Sequence, residues 1–255
     1  MSATESNLAK PFLTAEWRWL AMLNYEIEPA RLATFVPAGT ELDFWNGKTF
    51  VSIVGFLFQN TLVHGIPIPF HRNFEEVNLR FYVRRKAEDG WERGVVFIKE
   101  LVPRRAIALV ARKFYNENYF ALPMWHRIEN IRDEMKSVTY GWRFEERESF
   151  LNLAVRGRSQ PTTSGSLQEF ITEHYWGYAR QRDGSTMEYR VEHPRWRVWE
   201  AHLAEFNCDP AKLYGEVFRG IFDRPPASAF LADGSAVRVY RGVKLPDPAT
   251  SSKMR

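Results

Sequence analysis

Polar and apolar residues alternate strictly over residues 73–84, which is the pattern of a β-strand with two different faces. The polar residues share one face of this strand and are Glu76, Asn78, Arg80 and Tyr82. A turn at 88–90 leads to a second apolar run at 94–101, so we expect a β-hairpin. Its polar face either meets water, as is common in half-buried sheets, or lines a cavity.

Elsewhere the pattern predicts more strands and a few short helices. The expected strands cover 41–45, 48–56, 138–144, 149–155, 175–181, 187–191, 195–203 and 237–240. The expected helices cover 14–23, 29–35 and 104–116, with another beginning at Asp209 and Pro210. Asn46-Gly47 is typical of a hairpin turn. Two prolines in 64–69 exclude a central strand there and favour an exposed or site-covering loop.

These elements predict a mostly antiparallel β (α+β) fold with helices on its outside. The chain has 255 residues and no repeat of fixed period, so one domain is sufficient. We expect that domain to cover 14–245, between flexible tails at 1–13 and 246–255.

Composition excludes several classes of function. Nine Trp, ten Tyr and nineteen Phe favour sheets and ligand pockets. The net charge of +4 is spread along the chain with both signs mixed, which argues against nucleic-acid binding. No apolar run is long enough for a membrane span, and the N-terminus lacks a hydrophobic signal segment. With one cysteine, Cys208, there is no internal disulfide, and we expect a soluble cytoplasmic protein.

No cofactor or metal motif is visible. The chain lacks a glycine-rich phosphate loop, a Gly-x-Ser-x-Gly elbow and a His-Glu-x-x-His pair. Its six histidines are never paired at ligand spacing. We therefore expect no cofactor and no metal site.

Several side chains are candidates for chemistry, and each has a structural alternative. Glu76 and Arg80 lie about 13 Å apart along the strand, too far for a direct pair, yet both could address one cavity. Lys99 falls on the strand side of Val95, Phe97 and Leu101, where burial would lower its pKa as an amine nucleophile requires. The alternative is an edge-strand lysine that reaches water or pairs with a carboxylate.

Arginine and histidine supply two further candidates. Arg112, with its neighbours Arg104 and Arg105, could hold an anionic substrate, although such residues often form weak surface pairs. His174, between Glu173 and Tyr175, suits general acid–base work or structural packing among aromatic rings.

The run 74–83 resembles the core motif of a bacterial family, domain of unknown function 2071. The other similar segments are 43–47, 94–97, 111–115, 119–124, 173–175 and 193–196, so the resemblance covers about residues 15–243. It implies a fold like that of acetoacetate decarboxylase, a cone-shaped β-barrel that encloses a cavity and has a few peripheral helices. It also implies that Glu76 and Arg112 match positions facing that cavity.

The resemblance does not imply decarboxylase activity. Those enzymes use a Schiff-base lysine in a Pro-Lys-Lys segment, and Asn118-Tyr119-Phe120 falls there in this chain. Without an amine, no imine forms to accept the electrons released with carbon dioxide. Lys99, on a neighbouring strand, is the candidate substitute.

Two functions therefore stay open. The first is a small-molecule-binding protein or enzyme that acts on a carboxylate or carbonyl compound. Glu76 would then transfer protons, Tyr119 would donate a hydrogen bond, and the binding residues would be Asn78, Arg80, Arg112 and His174. The second is a non-catalytic ligand sensor or a structural barrel filled by side chains. The expected partner is a small-molecule ligand, without nucleic acid or membrane, and a homo-oligomer stays open.

Overall fold

The computed structural model describes residues 10–104, 118–131 and 134–246. The first eight strands are β1 (Leu13–Ile27), β2 (Glu41–Leu42), β3 (Thr49–Val63), β4 (Ile66–Pro67), β5 (Phe74–Ala87), β6 (Gly90–Val102), β7 (Tyr119–Ala121) and β8 (Met124–Ile131). The next eight are β9 (Glu134–Phe144), β10 (Arg147–Val155), β11 (Gln160–Pro161), β12 (Trp176–Arg180), β13 (Thr186–Glu192), β14 (Arg197–Asn207), β15 (Ser228–Val239) and β16 (Val243–Lys244). The α-helices are α1 (Pro29–Leu32), α2 (Leu167–Thr172) and α3 (Pro210–Tyr214), and 3-10 turns cover Ala33–Phe35 and Glu216–Phe218.

The strands pair into one mixed sheet. Its main path runs β16-β13-β12-β6-β5-β3-β1-β15-β14-β10-β9-β8. β13 also pairs with β15, so seven strands form a circuit: β15, β1, β3, β5, β6, β12 and β13. The sheet is mixed because β6 pairs in parallel with β7 and β12. The mostly β prediction is confirmed, whereas a single closed, cone-shaped barrel stays a prediction.

The two larger of three buried apolar clusters lie on opposite faces of this sheet. One lies between the outer face of the circuit and β8, β9, β10 and α3, and it includes Tyr140, Trp142 and Leu213. The other lies on the inner face and includes Tyr82, Phe170 and Trp196. The Tyr140 hydroxyl donates a 2.8 Å hydrogen bond to the carbonyl of Trp19, which joins β9 to β1. The inner cluster surrounds the site described below.

The helix predicted over 14–23 is wrong, because that segment lies in β1. β1 pairs with β3 on one side and β15 on the other and is largely buried. Register shifts interrupt its pairing with β3 at Thr14/Glu16 and Arg18/Ala21, and Trp19 has a positive φ of 57°. These irregularities break the two-residue alternation of the strand and produce an apolar spacing like that of a helix.

Other predictions hold where local signals are strong. The central hairpin forms as β5 and β6, and Asn46 and Gly47 make a turn with positive φ values of 49° and 76°. The preceding strand, β2, is shorter than expected. It pairs with β5 and not with β3. α3 begins as predicted, with the Asp209 side chain accepting from the Lys212 amide. Segment 64–69 is an exposed turn with the short edge strand β4.

The folded part of the chain begins slightly earlier than predicted. Phe12 is buried and Leu13 begins β1, although both fall within the segment predicted as a tail. The helix predicted over 104–116 and most of the predicted tail residues lie outside the described residues. In the part of the chain that the structure describes, no helix combines the length and apolar character needed to cross a bilayer.

Candidate functional site

A cavity of about 200 Å³ lies inside the circuit of seven strands. Each of those strands contributes at least one lining residue, and α2 closes part of the wall with Ile171 and Thr172. The polar stripe of β5 faces this cavity: Glu76 and Asn78 are each 2% exposed and Arg80 is 9% exposed. The alternative in which this stripe meets water is therefore wrong.

Glu76 is held in a small hydrogen-bonded group. Asn78 donates to it through Nδ2 at 3.0 Å, and the Tyr119 hydroxyl donates at 3.3 Å. Tyr119 reaches this position because β7 pairs in parallel with β6, where it lies opposite Glu100. The structure thus brings Tyr119, which lies on a separate strand, to Glu76 and Asn78 of β5. This group offers a carboxylate and an amide to a ligand in the cavity.

Arg80 presents a buried guanidinium to the same cavity. Its Cζ lies 5.8 Å from the centroid of the Tyr82 ring. Its Nε is buried and has no hydrogen-bond partner among the described residues. No carboxylate in the described part of the chain forms an ion pair with it. A guanidinium stays protonated at any ordinary pH, so this wall of the cavity carries a positive charge.

His174 and Asp43 form a buried pair beside Arg80. The two side chains meet at 3.2 Å, between His174 Nε2 and Asp43 Oδ2. Arg93 donates to the same carboxylate oxygen at 2.7 Å, and the Asp43 amide donates to the carbonyl of Tyr82 at 3.0 Å. His174 Nδ1 is buried without a hydrogen-bond partner among the described residues. One nitrogen of the imidazole is therefore fixed by a carboxylate, and the other has no partner among the described residues. His174 is one of the residues that line the cavity.

Burial controls the protonation of this pair. It lowers the pKa of His174 to about 4 despite the hydrogen bond to Asp43, and the positive charges of Arg93 and Arg80 act in the same direction. Burial opposes ionisation of Asp43, yet hydrogen bonds from His174 and Arg93 hold its pKa below the ordinary value. The pair is thus a neutral imidazole beside an ionised carboxylate at neutral pH.

His174 should make stability depend on pH. Its pKa rises from about 4 to about 6.5 on unfolding, so between these values the unfolded chain binds more protons and stability rises with pH. When the pH is lowered from 7 to 5, the unfolding free energy of the unmodified protein should fall because of this histidine. In the His174→Gln variant the fall should be smaller by about 2 kcal/mol. Urea unfolding at both pH values measures this difference. An equal loss in both proteins would contradict it.

The expected side of Lys99 is wrong because β6 contains a bulge. Leu79 pairs with Lys99 but Arg80 pairs with Phe97, so Ile98 is an extra residue in β6. Before the bulge, Val95 and Phe97 face the cavity; after it, Glu100 does. Lys99 points to the other face, where its Nζ donates to the carbonyl of Leu213 and lies 5.4 Å from the Phe120 ring centroid. Burial lowers the pKa of Lys99, but its amine lies outside the cavity.

The sequence did not identify two residues of this site. Asp43 and Glu100 were not among the candidate site residues, and only the spatial arrangement reveals them, although 43–47 is one of the segments that carry the family resemblance. Arg112 lies outside the described residues, so its expected place at the cavity stays a prediction. Among the described residues, no cluster of three or more His, Cys, Asp or Glu is arranged to hold a metal ion.

Much of the remaining wall is aromatic. Trp17 lies with its ring centroid 5.4 Å from that of Phe56 and 5.8 Å from that of Phe58, and Phe58 stacks on Phe74 at 4.6 Å. Trp196 contacts Trp17 at 6.4 Å. These residues border a cavity, so they do not form the barrel filled by side chains that was the second alternative. One end of the cavity is therefore polar and charged, and the other is apolar.

Solved structures with this fold are acetoacetate decarboxylase-like proteins. Acetoacetate decarboxylase from Legionella pneumophila has a TM-score of 0.66 and 13% identity, with 94% of this chain and 89% of that chain covered. The enduracididine biosynthesis enzyme MppR complexed with pyruvate has a TM-score of 0.68 and 12% identity, with 95% and 94% covered. An acetoacetate decarboxylase-like enzyme from Sphingomonas wittichii RW1 has a TM-score of 0.64 and 13% identity, with 96% and 97% covered.

The chain belongs to domain-of-unknown-function family 2071, described as an uncharacterized conserved protein, which matches residues 14–236. The uncharacterized protein YqjF of Bacillus subtilis (strain 168) is 30% identical over 181 residues, which cover 70% of this chain and 72% of that protein. The predicted family and the acetoacetate decarboxylase-like fold are both confirmed. At 11–13% identity the solved structures show the fold alone.

Proposed function

We propose that this protein binds a small organic carboxylate with an apolar body in its central cavity. The observation that carries the proposal is Arg80, a buried guanidinium that lines the cavity and has no ion-pair partner among the described residues. Removing a charged group from water is unfavourable unless an opposite charge or hydrogen bonds compensate for it. A ligand carboxylate would supply both, through the paired N–H donors of the guanidinium.

The shape and lining of the cavity support an apolar body on this ligand. Trp17, Phe58 and Phe74 form its apolar end, so a hydrocarbon group there would leave water without losing hydrogen bonds. The volume of about 200 Å³ is smaller than the roughly 300–1,000 Å³ typical of drug-sized ligands. A compact metabolite with one charged end fits this combination.

The group around Glu76 would recognise a second polar feature of the ligand. Asn78 Oδ1 is buried without a hydrogen-bond partner among the described residues, so it can accept from a ligand hydroxyl. Glu76 can accept or exchange a proton, and Tyr119 orients it. MppR was solved with pyruvate, a small carboxylate with a carbonyl, which makes 2-oxo acids the first ligands to test.

Calorimetric titration with 4-methyl-2-oxopentanoate and with 4-methylpentan-2-one, which lacks the carboxylate, tests the proposal. We expect the acid to bind more tightly, and Arg80→Gln to weaken it by about 10- to 100-fold, because a hydrogen bond to a charged group contributes roughly 1.5–3 kcal/mol. The same change should leave the ketone affinity unaltered.

Arg84→Gln is the matched control, because Arg84 lies on the same strand but pairs with Glu41 outside the cavity. It should bind the acid as the unmodified protein does. Arg80→Gln removes a buried charge without a counter-charge, so thermal unfolding should show no loss of stability. Equal affinity of the acid for the Arg80→Gln variant and the unmodified protein, or no binding of the acid at all, would refute the proposal.

A further inference from the structure

We infer that Ile68 closes the outer end of the central cavity and limits the length of the apolar body that a ligand can have. The inference deepens the proposed function and rests on it, because the carboxylate held by Arg80 fixes the other end of the ligand. Ile68 is then a specificity-determining residue, which meets the end of the ligand farthest from its charge.

The loop formed by residues 64–71 lies at the aromatic end of the cavity. β3 and β5 pair Phe58 with Phe74 there, and β4, which belongs to the loop, pairs with the last residues of β3 beyond Phe58. Phe74 and Arg80 both line the cavity and are six residues apart on β5, which is about 20 Å at the rise of a strand. Loop 64–71 and Arg80 therefore lie at opposite ends of the cavity.

Ile68 lies where the cavity meets solvent. At 36% it is the most exposed of the described residues that line the cavity, and the others are buried or half-buried. Ile66 is two residues away and 68% exposed, but it is not among the described residues of the lining. Shortening Ile68 would therefore extend the cavity, whereas shortening Ile66 would change only the surface.

The sequence around Ile68 makes it a rigid stop. Pro67 and Pro69 flank it, and a residue before proline is confined to extended backbone conformations. The Ile68 carbonyl accepts a 3.0 Å hydrogen bond from the His71 amide, and His71 Nδ1 lies 2.7 Å from the Pro69 carbonyl oxygen. The β-branched side chain of isoleucine also has few rotamers. Because neither backbone nor side chain turns aside easily, the limit on ligand length should be sharp.

The lining next to Ile68 favours an apolar chain up to that point. Phe12 and Val63 line the same end of the cavity, and the buried Phe12 ring lies 5.0 Å from the His64 ring, centroid to centroid. Each methylene that leaves water here should tighten binding about fourfold. A methylene that extends beyond Ile68 stays in water or displaces the side chain, so the gain should end there.

Calorimetric titration with straight-chain saturated acids, from butanoate to dodecanoate, tests the inference. For the unmodified protein we expect affinity to rise about fourfold with each added carbon, to reach a maximum within the series and then to stop rising. Ile68→Ala removes most of the side chain from the wall, so its maximum should lie about two to three carbons further along the series. Its affinity for butanoate should be unchanged, because so short a chain does not reach the loop.

Ile66→Ala is the matched control, since it makes the same change in the same loop outside the lining. Its maximum should coincide with that of the unmodified protein. Both variants alter exposed residues, and circular dichroism should show that both are folded. An unchanged maximum in Ile68→Ala, an equal shift in Ile66→Ala, or a rise that continues through dodecanoate in the unmodified protein would overturn the inference.

Carbon-13 NMR of the unmodified protein gives a second readout that needs no variant of the loop. The δ1 methyl signal of Ile68 should shift when the acid of highest affinity binds and not when butanoate binds, and that of Ile66 should shift with neither. An Ile68 signal that does not respond to the longer acid would overturn the inference. The proposed function would still stand if Arg80→Gln weakens binding of that acid. If no acid binds, or if Arg80→Gln binds every acid as the unmodified protein does, the proposed function itself is refuted.

Discussion

Gly234→Ala should lower the free energy of unfolding by about 2–5 kcal/mol. Gly234 lies in β15 with a positive φ of 77°, a conformation that alanine adopts only with strain. A Cβ added there would lie 2.0 Å from the Trp17 carbonyl oxygen and 2.8 Å from Leu20 Cδ1. Because the nearest atom belongs to the backbone of β1, the clash cannot be relieved by rotating a side chain.

Gly184→Ala separates the two causes. Gly184 also has a positive φ, 82°, but nothing lies within 4 Å of its added Cβ. We expect a loss of only about 1–2 kcal/mol there, from backbone strain alone. Urea unfolding of both variants at pH 7 gives the comparison. If the two losses are equal, the close approach of β15 to β1 is not what requires glycine at position 234.

Trp142→Ala should cost about 3–5 kcal/mol of unfolding free energy. The side chain is fully buried in the outer cluster, and its ring centroid lies 6.2 Å from that of Phe206. Its indole Nε1 has no hydrogen-bond partner among the described residues. Trp142→Phe keeps most of the ring volume and loses no hydrogen bond, so we expect a much smaller loss.

The cavity lies on the opposite face of the sheet from Trp142. The affinity of the folded Trp142→Ala protein for 4-methyl-2-oxopentanoate should therefore stay within about twofold of the unmodified protein. Calorimetric titration below the unfolding temperature measures it. A large loss of affinity would mean that the two clusters do not behave independently.

The elements that the sequence predicted well are those with strong local signals. The period of two in β5 fixed which side chains share a face, and the Asp209 cap with Pro210 located α3. β1 was mistaken for a helix because its bulges disrupt that period and its burial comes from two neighbours distant in the chain. Pairing partners of this kind are not encoded locally.

The site divides in the same way. Glu76, Asn78 and Arg80 were found because they share one strand face that turns out to line the cavity. Asp43 and His174 are 131 positions apart, so only folding brings them to 3.2 Å. Each lies in a segment that carried the family resemblance, which is the signal that could have linked them. The resemblance also implied that the decarboxylase lysine is missing. The pattern of polar and apolar residues could not have revealed that absence.

The extra residue Ile98 decides which functional group β6 offers to the cavity. Lys99 and Glu100 are neighbours, and the bulge alone places the acid inside and the amine outside. If β6 kept its length but paired with β5 without the bulge, Lys99 would face the cavity and Glu100 would face the other side, without any substitution. Matching positions between this protein and an imine-forming enzyme therefore requires knowing whether this strand is bulged, since the bulge decides which of two neighbouring residues faces the cavity.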